Sequence, residues 1–108
     1  MTSTASGGRE VRDVPDDHRY ELTVDGRLAG FARYVRRAGR TIFVHTEIDD
    51  ELGGQGLGSA LAAGALDTER AAGTSVVPLC PFIAAFIDRH DEYADLVDED
   101  LLARLDTP

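Results

Sequence analysis

The chain has 108 residues, 20 carboxylate side chains against 11 arginines, a net charge of −9 and no lysine. Without lysine there is no Schiff-base chemistry and no phosphate loop of the lysine-dependent kind, because the residue that does the work is absent. The acidic balance disfavours nucleic acid and membrane surfaces, which are bound through cationic patches, and suits amine-bearing partners. One domain is expected, burying about two-thirds of its unfolded surface. The single cysteine, Cys80, has no partner for an internal disulfide, and no apolar run approaches the roughly 18 residues of a membrane span, so a cytoplasmic protein is expected.

Residues 1–8 are small and polar without periodicity, and 1–10 read as a disordered lead-in to a domain over 11–97. Tyr20 to Val24 alternates as a strand does, Asp25-Gly26 is a two-residue hairpin turn, and Leu28 to Val35 is the returning strand. A second turn at Ala38-Gly39 leads to a strand over Thr41 to Ile48. Strict alternation there puts Phe43, His45 and Glu47 on one face and Ile42, Val44, Thr46 and Ile48 on the other. The arginines around this turn, Arg33, Arg36, Arg37 and Arg40, read as a solvated rim. From Leu57 the spacing becomes helical, and Gly73 ends the helix. Thr74 to Leu79 is a short strand, reached through a helix and therefore parallel to Thr41 to Ile48, with Pro78 marking an edge or a break in pairing. Cys80 fits the N-cap and Pro81 the first position of a second helix, whose Ile83, Phe86 and Ile87 face inward. Residues 98–108 form an acidic C-terminal tail with a short leucine-striped helix. The expected fold is α+β: an antiparallel meander followed by a parallel βαβ crossover.

The segment Gly53-Gly54-Gln55-Gly56-Leu57-Gly58-Ser59 joins a strand to a helix. Glycines let the backbone approach a ligand, and the free amides of the first helical turn, aided by the helix dipole, make an anion site. A dinucleotide fingerprint needs G-x-G-x-x-G, and no frame here places the third glycine. With His45-Thr46-Glu47-Ile48 before it and Val77-Pro78-Leu79-Cys80-Pro81-Phe82 after it, this turn resembles the GNAT superfamily of N-acetyltransferases, in a short single-domain form. The resemblance covers roughly residues 11–97. It implies strands that splay apart to admit the pantetheine arm of acetyl-CoA, with Ile48 as its backbone partner. It also implies a diphosphate held by the amides around Gln55, Gly56, Leu57, Gly58 and Ser59. Gly56 and Gly58 match the two small positions of the superfamily's motif, but its leading Arg or Gln falls at Gly53, leaving Gln55 as the nearest replacement. One lost side-chain contact to an anion costs about 1–3 kcal/mol.

Acetyl transfer to a primary amine requires a base for the ammonium proton and a donor for the departing thiolate. His45 and Glu47, two residues apart on one strand face, are the candidate bases, and the resemblance places a catalytic carboxylate on this strand. It also implies a tyrosine acid on the helix after the second parallel strand, where this chain has Phe82 and Phe86. Cys80, at that helix's N-terminus, is the remaining candidate, as proton donor or as nucleophile. The expected function is N-acetyltransfer from acetyl-CoA to a small-molecule, peptide or protein amine. The alternative is a CoA or acyl-CoA-binding module without turnover.

Overall fold

The computed structural model describes residues 8–49 and 56–106. Five strands form one sheet in the order β1-β2-β3-β4-β5: β1 (Arg9–Val14), β2 (Arg19–Val24), β3 (Arg27–Arg37), β4 (Arg40–Ile48) and β5 (Ser75–Pro78). The first four are antiparallel neighbours and β5 runs parallel to β4. Helix α1 (Leu57–Ala72) connects β4 to β5, α2 (Pro81–Arg89) follows β5, and α3 (Glu99–Asp106) ends the chain. No helix among the described residues is long and apolar enough to cross a membrane.

The mixed α/β architecture follows the expected meander and parallel crossover. At the first hairpin, Asp25 and Gly26 have φ of 51° and 84°, the two positive values that a primed turn needs to match strand twist. Strand β1 is the element that sequence periodicity does not announce, and it begins at Arg9, inside the expected lead-in. Its place is set by packing: a Cβ on Gly64 of α1 would stand 2.7 Å from Cβ of Val11, so helix and strand touch at a point only glycine leaves open.

One face of the sheet is covered by α1 and α2. Leu57, Leu61, Ala62, Ala65 and Leu66 of α1 pack on Tyr20, Leu22, Ala32, Tyr34 and Phe43, with Ile83 and Phe86 of α2 completing the core. Each fully buried leucine contributes about 1.5–3 kcal/mol of apolar transfer. Within this core Glu69 is only 1% exposed. Its carboxylate accepts hydrogen bonds from the hydroxyls of Tyr20, Thr41 and Thr74 and an ion pair from Arg36 at 2.7 Å. Arg36 also pairs with Asp13 at 2.8 Å, and Tyr34 donates to the same Asp13. The network therefore ties β1, β2, β3, β4 and the end of α1 together. Burial pushes the Glu69 carboxyl up, but the hydrogen bonds from Thr74, Tyr20, Thr41 and Arg36 outweigh it and hold the group below the ordinary carboxylate range.

Two expectations are corrected here. Strict alternation along β4 fails at Val44, because Arg33 lies opposite His45 and Tyr34 opposite Phe43, so Val44 is an extra residue in a β-bulge. Phe43 consequently shares a face with Thr46 and Ile48, opposite core-facing Tyr34, Ala32 and Gly30, while His45 and Glu47 share the open face with Arg33 and Phe31. The arginine rim is also divided. Arg36 is tied into the core network and Arg40 is paired with Asp98 at 2.6 Å, while Arg33 and Arg37 make no ion pair among the described residues.

Candidate active site

Strands β4 and β5 pair only from Arg40↔Ser75 to Phe43↔Pro78. Pro78 has no N–H with which to extend the ladder, and the last link between the two segments is the Cys80 amide donating to the Phe43 carbonyl at 2.9 Å. Beyond it the chain enters α2 while β4 continues to Ile48. The sheet thus splits at Phe43 and Pro78, leaving residues 44–48 of β4 without a strand partner on the β5 side among the described residues.

Cys80 sits at the vertex of this split as the N-cap of α2, with Pro81 at the first helical position. Its side chain is 3% exposed. The thiol does not cap the helix amides. Instead Sγ lies 3.2 Å from Oγ1 of Thr46, within sulfur hydrogen-bond distance. Thr46 is the residue that sequence reading misses, because the Val44 bulge that turns it toward the core side has no signature in a pattern of β-branched residues. His45 and Glu47 come together on the opposite face of β4, with Nε2 and Oε2 2.8 Å apart and side chains 55% and 63% exposed. The Phe31 ring lies 6.2 Å from that of His45, and Arg19 stacks over Phe31 at 4.7 Å. The structure therefore places the three candidate catalytic residues around one stretch of strand but on two faces, and brings Thr46 rather than His45 to Cys80.

Helix α1 opens beside this split. Gly56 is its N-cap at φ of 72°, a left-handed conformation that glycine adopts without a Cβ penalty. Among the described residues no side chain caps the helix, and no carboxylate stands in its first turn. The first backbone bond is from Ala60 to the Gly56 carbonyl at 3.0 Å, so the amides of Leu57, Gly58 and Ser59 have no partner among the described residues. Gln55 lies outside the described residues. Gly58 has a packing role as well: a Cβ there would stand 2.5 Å from Cζ of Phe82, so the smallness of this residue lets the start of α2 lie against the start of α1. Leu57 is buried in the core and offers only its backbone, whereas Ser59 is exposed. Ile48 is half-buried and its side chain packs under Gly30.

Other polar groups nearby are already engaged. The Tyr93 hydroxyl donates to Asp67 at 2.7 Å, and burial with this bond pushes it up to about 12. His90 bonds the Phe86 carbonyl through Nδ1 at 2.8 Å and stacks on its ring at 4.0 Å. No group of three or more metal-ligating side chains occurs among the described residues.

Comparisons with known proteins agree with this architecture. A family model described as GCN5-related N-acetyl-transferase matches residues 19–96. The solution NMR structure of a GCN5-like protein from Staphylococcus aureus superposes with a TM-score of 0.63 at 21% identity, over 82% of this chain and 86% of that one, which is a likeness of fold. No curated protein sequence matches the chain. The family match runs from the start of β2 to the turn after α2 and so takes in the split strands, the helix that opens beside them and Cys80; the chain belongs to the GCN5-related N-acetyltransferase family.

Proposed function

We propose that the protein transfers an acetyl group from acetyl-CoA to a primary amine. The observation that carries this reading is the set of amides at Leu57, Gly58 and Ser59 that have no partner among the described residues, beside a sheet split that closes on Cys80. Free amides at the positive end of a 16-residue helix are a fit for a diphosphate. In this reading Gly56, Leu57, Gly58 and Ser59, with Gln55, hold the diphosphate, and the unpaired edge of β4 at Ile48 receives the pantetheine arm. Acetyl-CoA supplies the acetyl group as a thioester.

The residues of the chain then divide the proton work. His45 and Glu47, hydrogen-bonded to each other on the open face, take the proton from the acceptor's ammonium so that its nitrogen can form the new bond to the acetyl carbon. As the bond from that carbon to sulfur breaks, the Cys80 thiol donates its proton to the departing sulfur, oriented by Thr46, and is reprotonated from solvent. This role fits Cys80 better than nucleophile does. A nucleophilic cysteine needs an adjacent base or close helix amides to become a thiolate, whereas Sγ touches a hydroxyl and does not cap α2. The near-complete burial of Cys80 favours the alternative, a module that binds CoA without turnover.

Incubation with acetyl-CoA and a pool of primary amines, followed by release of CoA thiol and by product mass, separates the two. We expect acceptor-dependent thiol release, and Glu47→Gln to lower kcat by about 10²-fold with the affinity for CoA unchanged. Binding of CoA with no release above the acceptor-free rate would leave the module reading standing alone.

A further inference from the structure

A cleft of about 580 Å³ lies where β3 runs past the start of β2, beneath the turn of residues 15–18. That is within the size range of small-molecule sites. It is lined by Pro15, Tyr34 and Val35 together with His18 and three arginines, Arg33, Arg36 and Arg37. Arg36 is neutralised by Asp13 and Glu69. His18, Arg33 and Arg37 have no carboxylate partner among the described residues, and Asp16 and Asp17 on the adjoining turn do not line the cleft. The contrast is informative in a chain of net charge −9. Arg19, Arg36, Arg40 and Arg70 each find a carboxylate at 2.6–2.9 Å, so acid partners are abundant, yet Arg33 and Arg37 on this concave surface have none among the described residues. Guanidinium groups bind carboxylate or phosphate through paired donors, and a half-enclosed setting strengthens such contacts.

The cleft and the candidate active site adjoin through one residue. Arg33 lines it and is also the cross-strand neighbour of His45 on the open face, a pairing that sets Cβ atoms about 5 Å apart. An acceptor whose amine meets His45 and Glu47 therefore extends naturally toward Arg33 and Arg37. We infer that this cleft binds an oxyanion, a carboxylate or phosphate carried by the acceptor itself, so that the preferred acceptors are acidic amines. The inference rests on the acetyl-transfer reading for the amine and on the cleft's own charge for the anion.

Two arms test it separately. In the first, inorganic phosphate is titrated into isotope-labelled protein at low salt and followed by two-dimensional NMR. Saturable shifts centred on His18, Arg33 and Arg37, with affinity reduced about tenfold in Arg37→Gln, support the site. Unsaturable shifts, or shifts untouched by Arg37→Gln and by the double variant Arg33→Gln/Arg37→Gln, overturn it. In the second, propylamine and aminopropyl phosphate are compared as acceptors. A KM at least tenfold lower for the phosphate-bearing amine, lost in Arg37→Gln while kcat and the KM for propylamine stay unchanged, supports the assignment to the acceptor. Equal KM values for the two amines would overturn that assignment even if free phosphate binds. Failure of acetyl-CoA to bind at all would instead count against the acetyl-transfer reading, and the phosphate arm would still decide the cleft.

Discussion

Glu69→Ala is expected to lower the free energy of unfolding by about 2–5 kcal/mol, because the buried hydroxyls of Tyr20 and Thr41 lose their acceptor at about 1–3 kcal/mol each, out of a total of about 5–15 kcal/mol. Three hydroxyls and one guanidinium converge on this carboxylate, and alanine leaves them facing a cavity. Glu69→Gln retains an acceptor oxygen and should cost less. The pH dependence has a definite sign. Because the folded-state pKa is held below the ordinary glutamate value of 4.5, the carboxylate's contribution is fully present above that value and is lost as pH falls through the lower, folded pKa. Urea unfolding at several pH values checks this: the gap in stability between wild type and Glu69→Gln should be constant near neutrality and narrow below pH of about 4.5. A gap that is small at neutral pH, or that widens in acid, contradicts the network's role.

The second large effect concerns Cys80. If its thiol protonates the departing sulfur, Cys80→Ala lowers kcat by about 10²–10⁴-fold, the usual contribution of a general acid, with the KM for acetyl-CoA unchanged. Cys80→Ser, which keeps an O–H donor beside Thr46, retains more of the rate than alanine does. The thermal transition should fall by several degrees in the alanine variant, since a core substitution of this size costs on the order of 1 kcal/mol. A purely structural cysteine would lower the transition by as much and leave kcat alone. Acetylated Cys80 trapped by mass spectrometry before acceptor is added would show it to be a nucleophile instead.

Much of this architecture is legible in the sequence because local chemistry decides it. Asp25-Gly26 can only turn tightly, Gly73 ends α1 with φ of 76°, and Pro78 followed by Cys80-Pro81 stops one ladder and starts a helix. What escapes sequence reading depends on tertiary partners. The charged run of β1 looks like a solvated lead-in until Val11 is seen against Gly64. The bulge at Val44 leaves no trace in the run from Thr41 to Ile48, since β-branched residues suit either face; strict alternation therefore assigns Phe43 to the wrong side and hides Thr46. Glu69 reads as one more surface charge near a helix end, and its burial becomes evident only when Tyr20, 49 positions away, is folded onto it. The arginines around the second hairpin look uniform, yet Asp13, Glu69 and Asp98 claim two of them and leave Arg33 and Arg37 without an ion pair among the described residues.

The measurement that bears most directly on acyl-CoA binding is a titration of acetyl-CoA into isotope-labelled protein, followed at backbone amides. Saturable shifts should be largest at residues 56–59 and along 46–48, with Cys80 moving in step. A titration that fails to saturate, or whose shifts avoid the opening of α1, would contradict the assignment of that helix mouth to the diphosphate.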